Sequence, residues 1–149
     1  MNLFSAMEIA ASGLLAQRTR INALASNLAN ARTTRTAEGG PYRRLDPVFR
    51  AVPLSERFAN LVDRAGEPGA ADNAYLVEVP EVREDPGPPR RVYDPDHPDA
   101  DADGFVQMPN VEVVSEMVNL VTASRAYEAG VSVVKTVEAM ARAALSIGA

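Results

Sequence analysis

Cysteine and tryptophan are missing from this 149-residue chain, and histidine and lysine occur once each. No proline stands among the first forty or the last forty residues. Each gap removes a class of explanation. Without cysteine there is no disulfide framework and no thiol catalysis. No run of about 18 apolar residues is present to cross a bilayer as a helix. The opening residues lack a basic stretch followed by an apolar run and a small-residue cleavage site, so a cleaved secretory signal is not expected. Residues 1–30 hold only Arg18 and Arg20 as cations and no tryptophan, a poor match for a helix that lies in a membrane surface. The formal net charge of −5 argues against nucleic acid as a partner. His97 sits in an acidic run with no nucleophile near it in sequence, and neither a glycine-rich phosphate loop nor G-x-S-x-G occurs. An enzyme is not expected.

What is present is pattern at the two ends. Phe4, Met7, Ala11, Leu14, Arg18, Ile21, Ala25 and Leu28 recur every three or four residues. Near the other terminus, Ala126, Gly130, Val133, Val137, Met140, Ala144 and Ile147 do the same. Proline-free segments with heptad spacing are helices that seek other helices. The first helix is expected over Leu3 to Asn30, about 42 Å at 1.5 Å per residue. Ser5 and Glu8 resemble a capping box. The second helix is expected from Val113 to Ile147, on the order of 50 Å. It carries a further stripe of Met117, Leu120, Ser124, Tyr127, Val131 and Val134. A helix apolar on two faces cannot satisfy both against one partner, so one face is assigned to the chain's own first helix and the other to a neighbouring subunit.

The middle holds all eleven prolines and six of the eight aromatics. Tyr42 to Val52 and Ala74 to Val82 read as strands, and Ser55 to Arg64 as a helical turn. Five arginines fall between Arg32 and Arg50, read here as an exposed connection. Asp99, Asp101, Asp103 and Gly104 reproduce the first half of a calcium loop. The twelfth position, which needs a bidentate glutamate, is Asn110. A calcium-dependent binding module using Asp99 to Asp103 is therefore the alternative function, set against an acidic loop whose aspartates cap turns. Zinc on His97, Asp94 and Asp96 asks adjacent side chains of a proline-stiffened loop to converge, which disfavours it. No cofactor or metal is expected.

The segment Ala11-Ser-Gly-Leu-Leu-Ala-Gln-Arg18, continuing through Ala25-Ser-Asn-Leu-Ala-Asn30, resembles the N-terminal signature of bacterial flagellar rod and hook proteins. The run His97-Pro-Asp-Ala-Asp-Ala-Asp-Gly-Phe-Val-Gln-Met-Pro-Asn-Val111 and the stretch Glu116 to Ala129 resemble the proximal-rod members of that family. Pro53 to Asn73 carries none of the likeness. The resemblance implies a non-enzymatic subunit of the basal-body rod, the drive shaft crossing the periplasm. It implies export through the flagellar type III apparatus without a cleaved signal. The implied partners are other rod proteins, the base of the export apparatus and copies of itself, with no nucleic acid and no direct membrane insertion. Asn27 and Asn30 match an N-x-A-N element and are expected to end the helix. Gly130 departs from the family pattern, where asparagine is expected.

These readings combine into a mainly α fold with a small β-containing insert. Residues 1–31 form a rod helix, 32–110 an irregular middle and 111–149 a second rod helix, the helices pairing as a coiled coil. The expected assembly interface comprises Phe4, Met7, Leu14, Ile21, Leu24, Asn27, Leu28 and Asn30 on the first helix. On the second it comprises Met117, Leu120, Tyr127, Val131, Val133, Val134, Val137, Met140 and Ile147.

Overall fold

The structure is a computed structural model and describes residues 3–54 and 74–147. Helix α1 spans Leu3–Ala29 and helix α2 spans Val113–Ile147. Between them lie β1 (Leu45–Pro53), β2 (Tyr75–Glu84), β3 (Arg90–Tyr93) and β4 (Phe105–Met108). Two long helices therefore flank two small two-stranded sheets, β1 with β2 and β3 with β4. The helical turn expected over Ser55 to Arg64 lies outside the described residues.

Both sheets are antiparallel. The Leu54 N–H donates to the Ala74 carbonyl at 2.9 Å, and the Asp85 N–H to the Arg44 carbonyl at 2.7 Å, so β1 and β2 run in opposite directions. Strands β3 and β4 pair Arg90 with Met108 and Tyr93 with Phe105, so the acidic run is a hairpin loop. This pair of short strands is not anticipated by the sequence pattern: Arg90-Arg91-Val92-Tyr93 shows too little alternation to register. Gly104 closes the loop at φ +79°, where a Cβ would stand 2.9 Å from Cε2 of Tyr93. The Tyr93 and Phe105 rings meet edge to face at 5.3 Å, with the Arg91 guanidinium 4.6 Å from the Phe105 ring centre.

The described residues divide into two compact units. One combines α1 as far as Thr19, the strand segments from Phe49 to Leu54 and from Ala74 to Pro80, and α2 from Ser124. Its buried side chains include Ser12, Ala16, Leu54, Leu76 and Val137. Small residues on α1 let β2 approach: the Ser12 hydroxyl donates to the Ile9 carbonyl at 2.8 Å and accepts the Val77 N–H at 3.2 Å. The other unit combines α1 from Arg20, β1 as far as Val48, and residues 81–123. Ala23, Leu24, Ala31, Val106, Val111 and Ala123 form its apolar core, with Asn27 and Glu116 buried among the polar groups.

Two local expectations are corrected. Helix α1 already includes Leu3, so Ser5 and Glu8 stand inside the helix and not at its cap. Asn30 does mark the helix end, its side-chain amide donating to the Ser26 carbonyl at 2.9 Å. Asn27 does not, because its side chain is drawn sideways to β1.

Candidate assembly surface

A single buried polar cluster ties α1, β1 and α2 together in the second unit. Asn27 is 0% exposed and makes four hydrogen bonds, the full capacity of its amide. Its Nδ2 donates to the Leu45 carbonyl at 2.9 Å and to Oε2 of Glu116 at 3.1 Å. Its Oδ1 accepts the Leu45 N–H at 2.7 Å and the Tyr42 hydroxyl at 3.0 Å. The other oxygen of Glu116 accepts Arg44 Nε at 2.7 Å. That bonded carboxylate holds the Arg44 guanidinium above its ordinary pKa, against the opposing pull of burial. Arg44 also lies 3.7 Å from Asp85, whose Oδ1 accepts the Gly87 N–H at 2.8 Å. Buried polar groups are tolerated only when satisfied, and this cluster is satisfied throughout. The arginine-rich stretch is thus not merely an exposed connection: Arg44 anchors the start of β1 to α2.

In the first unit the helices meet at Gly130. A Cβ there would lie 2.9 Å from Cδ2 of Leu14 and 3.3 Å from its Cγ, so the glycine makes room for this leucine. Ala10, Gly13, Gln17, Ala126 and Val133 line a shallow cavity of about 230 Å³ beside that contact. The Gly130 departure thus corresponds to a close intrachain approach.

The expected interface residues separate by exposure. Leu24, Asn27 and Val137 are buried within the chain. Leu14, Ile21, Leu28, Asn30, Leu120, Tyr127, Val131 and Val134 are partly covered. Phe4, Met7, Met117, Val133 and Met140 stand open, Phe4 at 80%. Ile147 ends α2. Sequence reading missed Val114, Val118 and Val121, which are exposed beside Met117 at helical spacing. The signal for them was their own i, i+4, i+7 recurrence, hidden by the stripe starting at Met117. The buried residues of α1 are Leu24 with Ser12, Ala16, Ala23 and Asn27, and the last four are small or polar residues that an apolar count passes over.

The acidic loop is occupied by its own chain. Oδ1 of Asp101 accepts the backbone N–H groups of Phe105 at 2.8 Å and Asp103 at 3.0 Å. The Phe105 bond chiefly, with the Asp103 bond and Arg91 adding, holds the Asp101 carboxyl below its usual range despite desolvation. Asp99 accepts the Thr34 hydroxyl at 2.8 Å, and Nδ1 of His97 accepts the Asp99 N–H at 3.1 Å. The carboxylates act as turn caps, and nothing favours the calcium-binding alternative. Among the described residues, no group of three or more His, Asp or Glu side chains is placed to hold a metal ion, and no helix is long and apolar enough to cross a membrane.

Residues 7–35 match the family model described as flagella basal body rod protein, and residues 102–147 the model of the flagellar basal body rod FlgEFG protein C-terminal. The chain is 41% identical to the flagellar basal-body rod protein FlgC of Borreliella burgdorferi, covering 99% of this chain and 98% of that one. It is 44% identical to FlgC of Escherichia coli O157:H7 and 39% identical to FlgC of Bacillus subtilis, with 99% of each chain covered in both cases. At that identity over nearly the whole length, the chain belongs to the FlgC family of flagellar basal-body rod proteins and is a structural, non-enzymatic rod subunit.

Proposed function

We propose that the protein is a subunit of the proximal rod that assembles through its terminal helices into the tubular drive shaft. In this reading α1 and α2 pair as a coiled coil, supported within one unit by the Leu14–Gly130 approach and within the other by the Asn27–Glu116 bond. The 32–110 middle forms the outer decoration. Its partners are other rod proteins, the base of the export apparatus and copies of itself, and it reaches the periplasm by the type III route without a cleaved signal. It does not insert in the membrane.

The observation that carries the reading is the unpartnered apolar face left on each helix after intrachain packing. Phe4, Val114, Met117, Val118, Val121, Val133 and Met140 are exposed large apolar groups spaced along the two helices, and grouped exposed apolar side chains mark protein–protein contact surfaces. Val133 offers the test: it is 51% exposed at the rim of the cavity beside Leu14 and Gly130, and circular dichroism of the variant checks that the fold is kept. Val133→Asp is expected to give a folded, exported protein that fails to enter the rod, since docking would desolvate an unpaired carboxylate. Normal swimming of that variant would refute assembly through this face.

A further inference from the structure

Of the aspartates in this chain only Asp103 is followed by glycine, and no asparagine is. An Asp–Gly bond is the most open of all to rearrangement, because glycine has no Cβ to keep its amide nitrogen away from the preceding carboxyl. Asp103 is exposed at the tip of the β3–β4 hairpin, yet the backbone on both sides of it is tied down. The Gly104 N–H donates to the Asp101 carbonyl at 3.0 Å, and the Gly104 carbonyl accepts the Asp94 N–H at 3.0 Å. Oδ1 of Asp101 takes the N–H of Asp103 and the N–H of Phe105. Three consecutive amides, those of residues 103, 104 and 105, are bonded to Asp101 or face a side chain it orders.

We propose that Asp103–Gly104 is a site of isoaspartate formation that the folded hairpin keeps shut, with Asp101 as the residue that shuts it. In the open chain the Gly104 nitrogen attacks Cγ of Asp103. A bond from nitrogen to Cγ forms, the carboxyl carbon–oxygen bond breaks, and that oxygen leaves as water with the amide proton. Water then opens the resulting succinimide at one of its two carbonyls. One opening restores aspartate; the other leaves the main chain running through Cβ and Cγ. The sum is an isomerisation that needs no oxidant, reductant or cofactor. In the hairpin the attacking nitrogen has its proton engaged by the Asp101 carbonyl, and both flanking amides are pinned by the Asp101 carboxylate, so the ring cannot close without local opening. An isomerised chain carries one extra backbone carbon before Gly104. It therefore loses the turn that sets Tyr93 opposite Phe105, which makes the product a trap for copies that stay unfolded.

The full-length protein is incubated at neutral pH, either folded or in urea. Isoaspartate is counted by methyl transfer from S-adenosylmethionine with an isoaspartyl methyltransferase, and placed by peptide mass mapping. In urea the wild-type chain is expected to accumulate it chiefly at residue 103, and Gly104→Ala to accumulate little there. Folded wild type is expected to react roughly tenfold or more slowly than the urea-treated chain, the factor that one hydrogen bond to a charged acceptor gives. Asp101→Ala, with its helices checked by circular dichroism, is expected to recover most of that difference. Asp101→Asn keeps a side-chain oxygen for both N–H groups and is expected to stay slow, although its ion pair with Arg91 is lost. Equal rates for folded and urea-treated wild type would overturn the proposal, as would a folded Asp101→Ala that stays slow. Isoaspartate spread over other residues in urea would overturn it too. Should Asp101→Ala not fold, Asp101→Asn decides: reaction at the urea rate would show that these bonds guard nothing.

Discussion

Replacing Asn27 by aspartate changes one atom in the buried cluster and should cost most of what that cluster contributes. The new carboxylate keeps the bonds to the Leu45 N–H at 2.7 Å and the Tyr42 hydroxyl at 3.0 Å. It turns the other oxygen toward the Leu45 carbonyl, 2.9 Å away, and Oε2 of Glu116, 3.1 Å away. Two like charges at that separation repel by about 5 kcal/mol at an effective dielectric of about 20. Two donated hydrogen bonds, about 0.5–1.5 kcal/mol each, are lost as well. Arg44, bonded to the far oxygen of Glu116, offsets part of this, so a net loss of about 3–5 kcal/mol at pH 7 is expected. The loss must depend on pH in a fixed direction. In the folded state the two carboxyls share a proton, so one pKa is raised above its unfolded value near 4. The variant is therefore close to wild type below that value and falls away as pH rises toward the folded pKa. Urea titrations followed by circular dichroism at pH 4 and pH 7 measure both quantities. Equal stability of variant and wild type at pH 7, or a deficit that shrinks on raising the pH, would refute the account of the cluster.

Three further outcomes follow from single contacts. Gly130→Ala gains about 1 kcal/mol of helix propensity but places a methyl 2.9 Å from Leu14, so Leu14→Ala should cost less in that background than alone, by about 1 kcal/mol in a double-mutant cycle. Gly104→Ala forces a side chain to φ +79° against Tyr93 and should loosen the β3–β4 hairpin by about 1–3 kcal/mol, read as faster amide exchange at Val92 and Val106. Asp101 has a lowered carboxyl pKa, so its contribution is present above the ordinary aspartate pKa and is lost as pH falls through the folded value. Asp101→Ala should remove that acid-side dependence of hairpin exchange, and adding calcium should change neither protein.

The two helices were legible because their ends lack proline and repeat apolar residues at helical spacing over many turns. β1 and β2 were legible from alternation, within a few residues at each boundary. The inward faces were not. A strict three-four seam assumes that a helix partners only helices, whereas α1 also packs on strands through Ser12 and Asn27. Polar residues that clamp backbone groups carry no periodic apolar signal. Glu116 in particular looks like surface charge until Arg44 and Asn27, 72 and 89 residues away, are seen to hold it. The short β3–β4 pair escaped because an aspartate-rich loop draws the eye to metal chemistry, while its bonds are those of a turn.

The most direct test is a cryo-electron-microscopy map of purified basal bodies from a strain carrying this chain. Density for α1 and α2 within the rod wall, with Met117, Val133 and Met140 covered by neighbouring helices, is the predicted result. The same helices found on the outside of the shaft, with those three side chains facing solvent, would contradict it.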